Sequence, residues 1–371
     1  MRHKANIRKI LASMMIVAAI IIGTDTQLLS WSLFDLFSDT KFTGEGLERV
    51  MTFDPERDIL YLPAIEGKDI FEASRDMSVY RNRAVRMHVY LYLTSKREYM
   101  LNAIRRSYRY EDTIREALGK NRDLPEELGL LPLLESCFNP YAVSSSRAVG
   151  LWQFLENTSR PLGLKCDRWI DERRSVEKST AAALRHLRTM RSIFPRWDLA
   201  LAAYNGGAGY MKRTMDATGV RDYWQLREKG LLRPETAEYV PKFIALMLIY
   251  RNQKLFGVAD EIARPEKTAA SYLTLERPVD LKDIERLTGV PVRAIMELNP
   301  ELNSALTPPT MKEYRLLLPA EALKKLEGKE KELYRCTITG VIQHRVRKGD
   351  TISGIARMYK KKLNSFLILT A

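Results

Sequence analysis

From residue 71 to residue 258 the chain has no run in which apolar and polar residues alternate. A half-buried strand needs that period of two, whereas apolar residues three and four apart mark one face of a helix. Val85, Val89 and Leu93 keep helical spacing within residues 71–108, where helix breakers are few. Residues 111–119 predict a short helix closed by Gly119, and residues 125–138 another opened by Pro125, with Glu126 and Glu127 in its first turn. Residues 175–193 carry Ala181, Leu184 and Leu187 on one stripe. Residues 197–204 are a compact apolar helix halted at Asn205-Gly206-Gly207, where glycine accepts the left-handed backbone of a helix end. Residues 234–256 predict one more. The fold class is mainly α, with an all-α domain over residues 71–258.

Past a linker containing Pro265 the period changes. Residues 270–320 read as strand, helix (281–288), a turn at Gly289-Val290-Pro291, helix (292–298) and strand (315–318). LKKLEGKEKEL, residues 323–333, reads as a charged linker. HRVRKGDTISGIARMYKK, residues 344–361, again predicts strand, turn and helix. Two small βααβ units in tandem are expected. The second, over residues 344–371, reads as truncated, because LNSFLILTA offers no closing strand.

At the other end, MRHKANIRK carries five basic residues ahead of an apolar run over residues 10–23. A positive flank and an apolar stretch short of the roughly 20 residues of a spanning helix have the form of an export signal. Residues 1–35 are expected to be a signal peptide or an uncleaved membrane anchor, and residues 36–70 a polar linker. The 60 Lys and Arg exceed the 46 Asp and Glu, giving +14, which favours a polyanionic partner. The basic residues are spread along the whole chain without interleaved aromatics, so a nucleic acid is not expected. Neither the three cysteines (Cys137, Cys166, Cys336) nor the four histidines (His3, His88, His186, His344) stand at metal-ligand spacing. No metal site and no cofactor are expected.

One acid stands out. Glu135 follows Leu130, Leu131, Leu133 and Leu134 directly, at the apolar end of a buried helix. Burying an ionised carboxylate costs several kcal/mol unless it is paired, so such a group finds a partner or keeps its proton. No basic residue lies in the preceding turn, and the nearest downstream is Arg147. The residues point to an acid of raised pKa, although an N-cap or a distant arginine accounts for it equally well.

Glu135-Ser136, Asn139-Pro140, Ala142, Ser144, Gly150-Leu151-Trp152-Gln153 and Thr158 stand in fixed order and spacing. Ala203-Tyr204-Asn205-Gly206-Gly207 and Glu235-Thr236-x-x-Tyr239-Val240 follow. Together these three segments resemble the motifs of the lytic transglycosylase family, whose SLT domain is lysozyme-like and all-α. The resemblance covers residues 100–252. The leucine run, the Gly-Leu-Trp-Gln variant and Asp171-Glu172-Arg173-Arg174 are most similar to the membrane-bound murein transglycosylase D branch. Val346, Lys348-Gly349-Asp350-Thr351, Ile355-Ala356 and Tyr359 resemble a LysM repeat, a glycan-binding βααβ module that typically follows the catalytic domain in that branch.

The resemblance implies a peptidoglycan-cleaving enzyme of the periplasm or cell envelope, acting on GlcNAc/MurNAc strands. Glu135 would serve first as acid and then as base, activating the muramic acid C6 hydroxyl to give a 1,6-anhydro end. Ser144, Gln153, Tyr204 and Asn205 would line sugar subsites. Glu235 and Tyr239, four apart on one helix face, would support the groove floor. A glycan-binding protein that does not cut, and a hydrolytic muramidase on the same fold, are the other two readings. Each residue also has a plainer one: Ser144 as a turn serine, Trp152 as core, Asn205-Gly206-Gly207 as a helix stop. The family commonly has Met then Pro where this chain has Leu155 and Glu156, which alters the lip of the expected groove. Cys137 and Cys166 flank the site segment, and their pairing is left open.

Overall fold

The computed structural model describes residues 82–254, 256–265, 269–334, 344 and 346–359. The expected signal or anchor (1–35), the linker (36–70), the start of the first helical stretch and the tail 360–371 lie outside the described residues. Among the described residues no helix is long and apolar enough to cross a membrane. The chain divides into two compact units, one ending at Leu164 and resuming at Arg173, the other built from Lys165–Glu172 and the residues from 268 onward.

The first unit is helical. Asn82 caps α1 (Arg83–Leu93) by accepting the Ala84 N–H, and α2 (Arg97–Ser107) follows after a break at residues 94–96. Then come α3 (Glu111–Gly119), a 3-10 turn (Glu126–Leu130) and α4 (Leu131–Ser136). A short α5 (Glu156–Ser159) precedes α6 (Val176–Ile193), α7 (Trp197–Gly206), α8 (Ala208–Thr218), α9 (Tyr223–Glu228) and α10 (Pro234–Arg251). The centre of this unit is α10. Every residue from Phe243 to Ile249 is buried, so this helix is apolar on all sides, as a helix enclosed by others must be. It packs against α1, α4 and α7.

Pro241 sits inside α10 and cannot donate the backbone hydrogen bond that would occupy the Ala237 carbonyl. That carbonyl instead accepts the Tyr223 hydroxyl at 2.7 Å and the Arg227 Nε–H at 3.0 Å. These bonds secure the first turns of α10, which carry Glu235 and Tyr239.

Several expected boundaries shift. The helix predicted over 125–138 is a 3-10 turn followed by the six residues of α4. Pro132 fits the first turn of α4, where no donor is needed, and Cys137 and Phe138 end the helix with φ of 52° and 54°. The predicted stop at Tyr204 comes two residues later, at Gly206, and α10 ends at Arg251 rather than 256. The stretch expected to be wholly helical also contains isolated bridges, Val143 with Val149 and Val149 with Phe154, just after α4.

In the second unit β1 (Ala270–Leu275), α11 (Leu281–Thr288), α12 (Val292–Leu298) and β2 (Tyr314–Pro319) form the expected βααβ order. The strands pair antiparallel, Ala270 opposite Pro319 and Leu275 opposite Tyr314. Residues 323–333 are not a linker. They form most of α13 (Ala320–Leu326) and all of α14 (Glu330–Leu333), and bury Leu326 and Leu333. The lysines and glutamates occupy the outer positions and mask the apolar ones that pack.

Lys165–Glu172 contributes a segment that no periodicity announced. Ile170 is fully buried in this unit's core and bridges to Leu302, while the Asp171 N–H donates to the Glu301 carbonyl at 2.8 Å. Farther along the chain, Thr351 caps α15 (Ile352–Met358), and His344 lies between Asp350 and the Tyr359 hydroxyl at 3.0 and 3.1 Å. Residues 344, 346 and 347 are not in a strand, and the rest of that expected pairing lies outside the described residues.

Candidate active site

Glu135 closes α4, half-buried, and the Tyr239 hydroxyl from α10 donates to its Oε1. Burial is the largest influence on this carboxyl and raises it to about 7; the Tyr239 hydrogen bond pulls it down, and the charge of Glu235 adds to the rise. Burial and the neighbouring carboxylate lift the Tyr239 phenol well above its ordinary value. The phenol therefore stays protonated and remains a donor. Tyr204, from α7, has its hydroxyl pushed up by burial and by the charge of Glu135. It donates to the Trp152 carbonyl at 2.8 Å.

The segment after Glu135 is held in a shape that few residues adopt readily. Cys137, Phe138, Arg147 and Gln153 are the described non-glycine residues with positive φ, and all four lie here. Sparsely populated backbone conformations cluster at functional sites, where the surroundings must hold them. Ser136 Oγ donates to the Leu151 carbonyl at 2.9 Å, tying the residue beside the acid to the far arm of the loop. Ser144 closes the loop's turn twice: its Oγ accepts the Ala148 N–H at 3.0 Å, and its backbone N–H donates to the Ala148 carbonyl at 2.9 Å. Gln153 Nε2 donates to the carbonyls of Gly150 at 2.9 Å and Ala142 at 3.3 Å. Trp152 is fully buried, with its indole N–H on Thr180 Oγ1 at 3.0 Å, so it is core. Gly150 has φ of 85°, and a Cβ there would stand 2.0 Å from the Arg173 carbonyl oxygen. Only glycine permits that approach.

Glu135, Tyr239 and Tyr204 thus come together. Asn205 and Glu235 form a neighbouring polar edge, where Asn205 Nδ2 donates to Glu235 Oε1 at 3.3 Å and Asn205 Oδ1 accepts the Thr236 hydroxyl at 2.9 Å. Glu235 itself is exposed. Ser144 and Gln153 brace the loop. Of the two residues expected to alter a groove lip, Leu155 is exposed and Glu156 pairs with Arg160 on the surface.

Three contributors were given no part in the site from the sequence. The buried Arg173 guanidinium donates to the Phe154 carbonyl at 3.4 Å. Ser136 braces the loop as described, and the His186 ring packs 5.5 Å from Tyr204 and 6.1 Å from Phe154. Arg173 sits in a charged tetrapeptide whose charge suggests solvent, and nothing in its spacing reveals that it is buried.

Cys137 and Cys166 are not joined in a disulfide, so the pairing left open for them is not formed. Among the described residues no group of three or more His, Cys, Asp or Glu could hold a metal ion. A separate cavity, lined by Ile114, Leu118, Leu130, Phe138 and Tyr250, contains none of the site residues. Chemically, the arrangement offers one carboxyl poised near neutrality, steadied by a phenol, beside a rigid polar loop.

Residues 112–226 match the transglycosylase SLT domain. Residues 270–335 match the LysM-like domain of lytic transglycosylase MltD, a span that includes α13 and α14, and residues 344–367 match the LysM domain. The membrane-bound lytic murein transglycosylase D of Escherichia coli (strain K12) is 32% identical over 284 residues, covering 70% of this chain and 61% of that protein. A putative tributyltin chloride resistance protein of Alteromonas sp. (strain M-1) is 38% identical over 97 residues, 26% of this chain and 47% of that protein. The membrane-bound lytic murein transglycosylase C of Edwardsiella ictaluri (strain 93-146) is 32% identical over 123 residues, 29% of this chain and 34% of that protein. The chain therefore spans less than two thirds of each of these relatives.

Proposed function

From its SLT domain, followed by LysM-type domains, and its likeness to a lytic murein transglycosylase, we propose that the chain is an enzyme of that kind, which cuts peptidoglycan glycan strands with Glu135 as the sole acid and base. The bond cut is the β-1,4 link between N-acetylmuramic acid and N-acetylglucosamine, and the product is a 1,6-anhydromuramyl end. The working place is the cell envelope, reached through the signal or anchor at residues 1–35.

The observation that carries this reading is the carboxyl of Glu135, raised to about 7 by burial and held by Tyr239. A single group that must give and then take a proton works best when its pKa lies near the working pH. In the first step the protonated Glu135 gives its proton to the glycosidic oxygen, and the bond from muramyl C1 to that oxygen breaks. Tyr239, a donor throughout, stabilises the carboxylate left behind. In the second step that carboxylate takes the proton of the muramyl C6 hydroxyl as its oxygen closes on C1. The acid is restored, and no water enters the product. A nucleophile already within the substrate has the entropic advantage of proximity and needs no second carboxylate to activate water. Tyr204 and Ser136 keep the loop beside the acid, Ser144 and Gln153 hold its turn for the substrate acetamido group, and Asn205 and Glu235 furnish a polar edge for further sugar hydroxyls.

Purified chain incubated with sacculi should release soluble anhydro-ended muropeptides, identified by mass spectrometry. Glu135→Gln should lower that release by about two to four orders of magnitude while sacculus binding persists, because an amide keeps the shape without an acidic proton. Turnover within a few-fold of the unsubstituted chain would place the acid elsewhere.

A further inference from the structure

Of the four left-handed non-glycine residues beside Glu135, three are explained by contacts already described. Cys137 and Phe138 end α4, with the Phe138 N–H on the Pro132 carbonyl at 3.0 Å, and Gln153 spans the loop with its amide. Arg147 is different. It stands at the tip of the turn closed by Ser144, with φ of 63° and its N–H on the Ser144 carbonyl at 2.9 Å. Glycine adopts such a backbone freely and arginine does not. Its side chain is exposed and has no hydrogen bond or ion pair among the described residues.

The turn that carries it is fixed from several sides. Val143 and Val149 bridge below the tip, the Gly150 N–H donates to the Ala142 carbonyl at 3.0 Å, and Ser136 ties Leu151 to the turn of helix that holds Glu135. The same hairpin exposes Tyr141 and Val143. A rigid hairpin next to the acid thus presents one permanent cation and two apolar surfaces. Nothing within the described protein uses the cation, and its backbone conformation is one that a turn alone would give to glycine.

We propose that Arg147 recognises a carboxylate carried on the 3-oxygen of the muramyl residue, and so makes this enzyme selective for acidic muramyl glycan over neutral N-acetylglucosamine polymer. This rests on the reading of the site as one that cuts peptidoglycan. Two sources supply that chemistry: the lactyl carboxylate of a strand without peptide, or the carboxylates of an attached stem peptide, whose apolar side chains suit Tyr141 and Val143. A guanidinium binds either through paired, charge-assisted hydrogen bonds.

The test is a set of affinities measured by calorimetry on the full chain carrying Glu135→Gln, which prevents turnover. The ligands are peptide-bearing glycan strands, the same strands stripped of peptide, and a neutral chitooligosaccharide. Adding Arg147→Gly should lower the ratio of charged-strand to neutral-oligomer affinity by about tenfold, as loss of one charge-assisted contact requires. Loss confined to stripped strands assigns the lactyl carboxylate, loss confined to peptide-bearing strands assigns the stem peptide, and loss with both means that the guanidinium takes whichever carboxylate the strand offers. Glycine suits a φ of 63°, so Tm should not fall; if it does, Arg147→Lys and Arg147→Gln decide, the first keeping part of the ratio through its charge and the second losing it. A ratio unmoved by loss of the charge overturns the proposal. Cleavage by the unsubstituted chain is scored separately, so a failure of the proposed activity is distinguishable from a failure of this selectivity.

Discussion

Tyr239→Phe removes one oxygen and leaves an aromatic ring in α10. That oxygen donates to Glu135 Oε1, and the bond favours the charged form of the carboxyl. A hydrogen bond to a charged group contributes about 1.5–3 kcal/mol. At about 1.4 kcal/mol for each pH unit, its loss should move the carboxyl up by roughly one to two units from about 7. The alkaline limb of kcat/KM reports the protonated acid in the free enzyme, so that limb should move upward by the same amount. At the pH optimum kcat should fall about ten- to a hundredfold, because the carboxylate formed as the bond breaks loses its only described donor, a deficit of about 1.5–3 kcal/mol. The assay is the initial rate of soluble muropeptide release from pH 5 to pH 10 for both forms, with Tm recorded at each pH. Superimposable limbs, with rates agreeing within twofold, would refute the reasoning: Tyr239 would then be a packing residue that happens to touch the acid.

Glu135→Gln should change the pH dependence of stability. The carboxyl stands near 7 in the folded chain against 4.5 as an isolated group, so its contribution to stability is fully present below pH 4.5 and lost as pH rises through 7. Denaturant unfolding should show the glutamine form gaining on the unsubstituted chain between pH 4 and pH 8, by up to about 3 kcal/mol before allowance for the partial exposure of the residue. An equal pH slope in the two forms would mean that the carboxyl is solvated. Gly150→Ala should cost about 3 kcal/mol or more and lower activity with it, because the new Cβ meets the Arg173 carbonyl at 2.0 Å; an unchanged Tm would show that the loop yields easily.

Much of the fold can be read along the chain. The absence of alternation before residue 258 implied helices, and the four leucines around Glu135 implied an acid kept from water. What could not be read is contact between distant residues. Glu135 and Tyr239 are 104 residues apart and meet only because α10 packs on α4. Backbone shape was hidden too, since Cys137, Phe138, Arg147 and Gln153 take conformations that glycine or asparagine would have signalled. Charge alone is a poor guide to burial. Residues 171–174 and 323–333 look solvated by charge count, yet Glu172, Arg173, Leu326 and Leu333 are buried. Charge is a property of composition, whereas burial depends on which side of a segment each residue occupies. Pro241 shows the same limit from the other side, because its cost to α10 is offset by donors from Tyr223 and Arg227 that no local rule could supply.

The most direct test of a single-acid mechanism is the origin of the oxygen at the newly formed muramyl end. Sacculi digested by the purified chain in oxygen-18 water, with the products resolved by mass spectrometry, separate the possible reactions in one experiment. If Glu135 acts alone and the C6 hydroxyl attacks, the new ends are 1,6-anhydromuramyl, lighter by one water than reducing ends, and carry no heavy oxygen. Oxygen-18 on muramyl C1 would contradict the account, because water would then be the nucleophile and a second base, Glu235 or Glu156, would have to activate it.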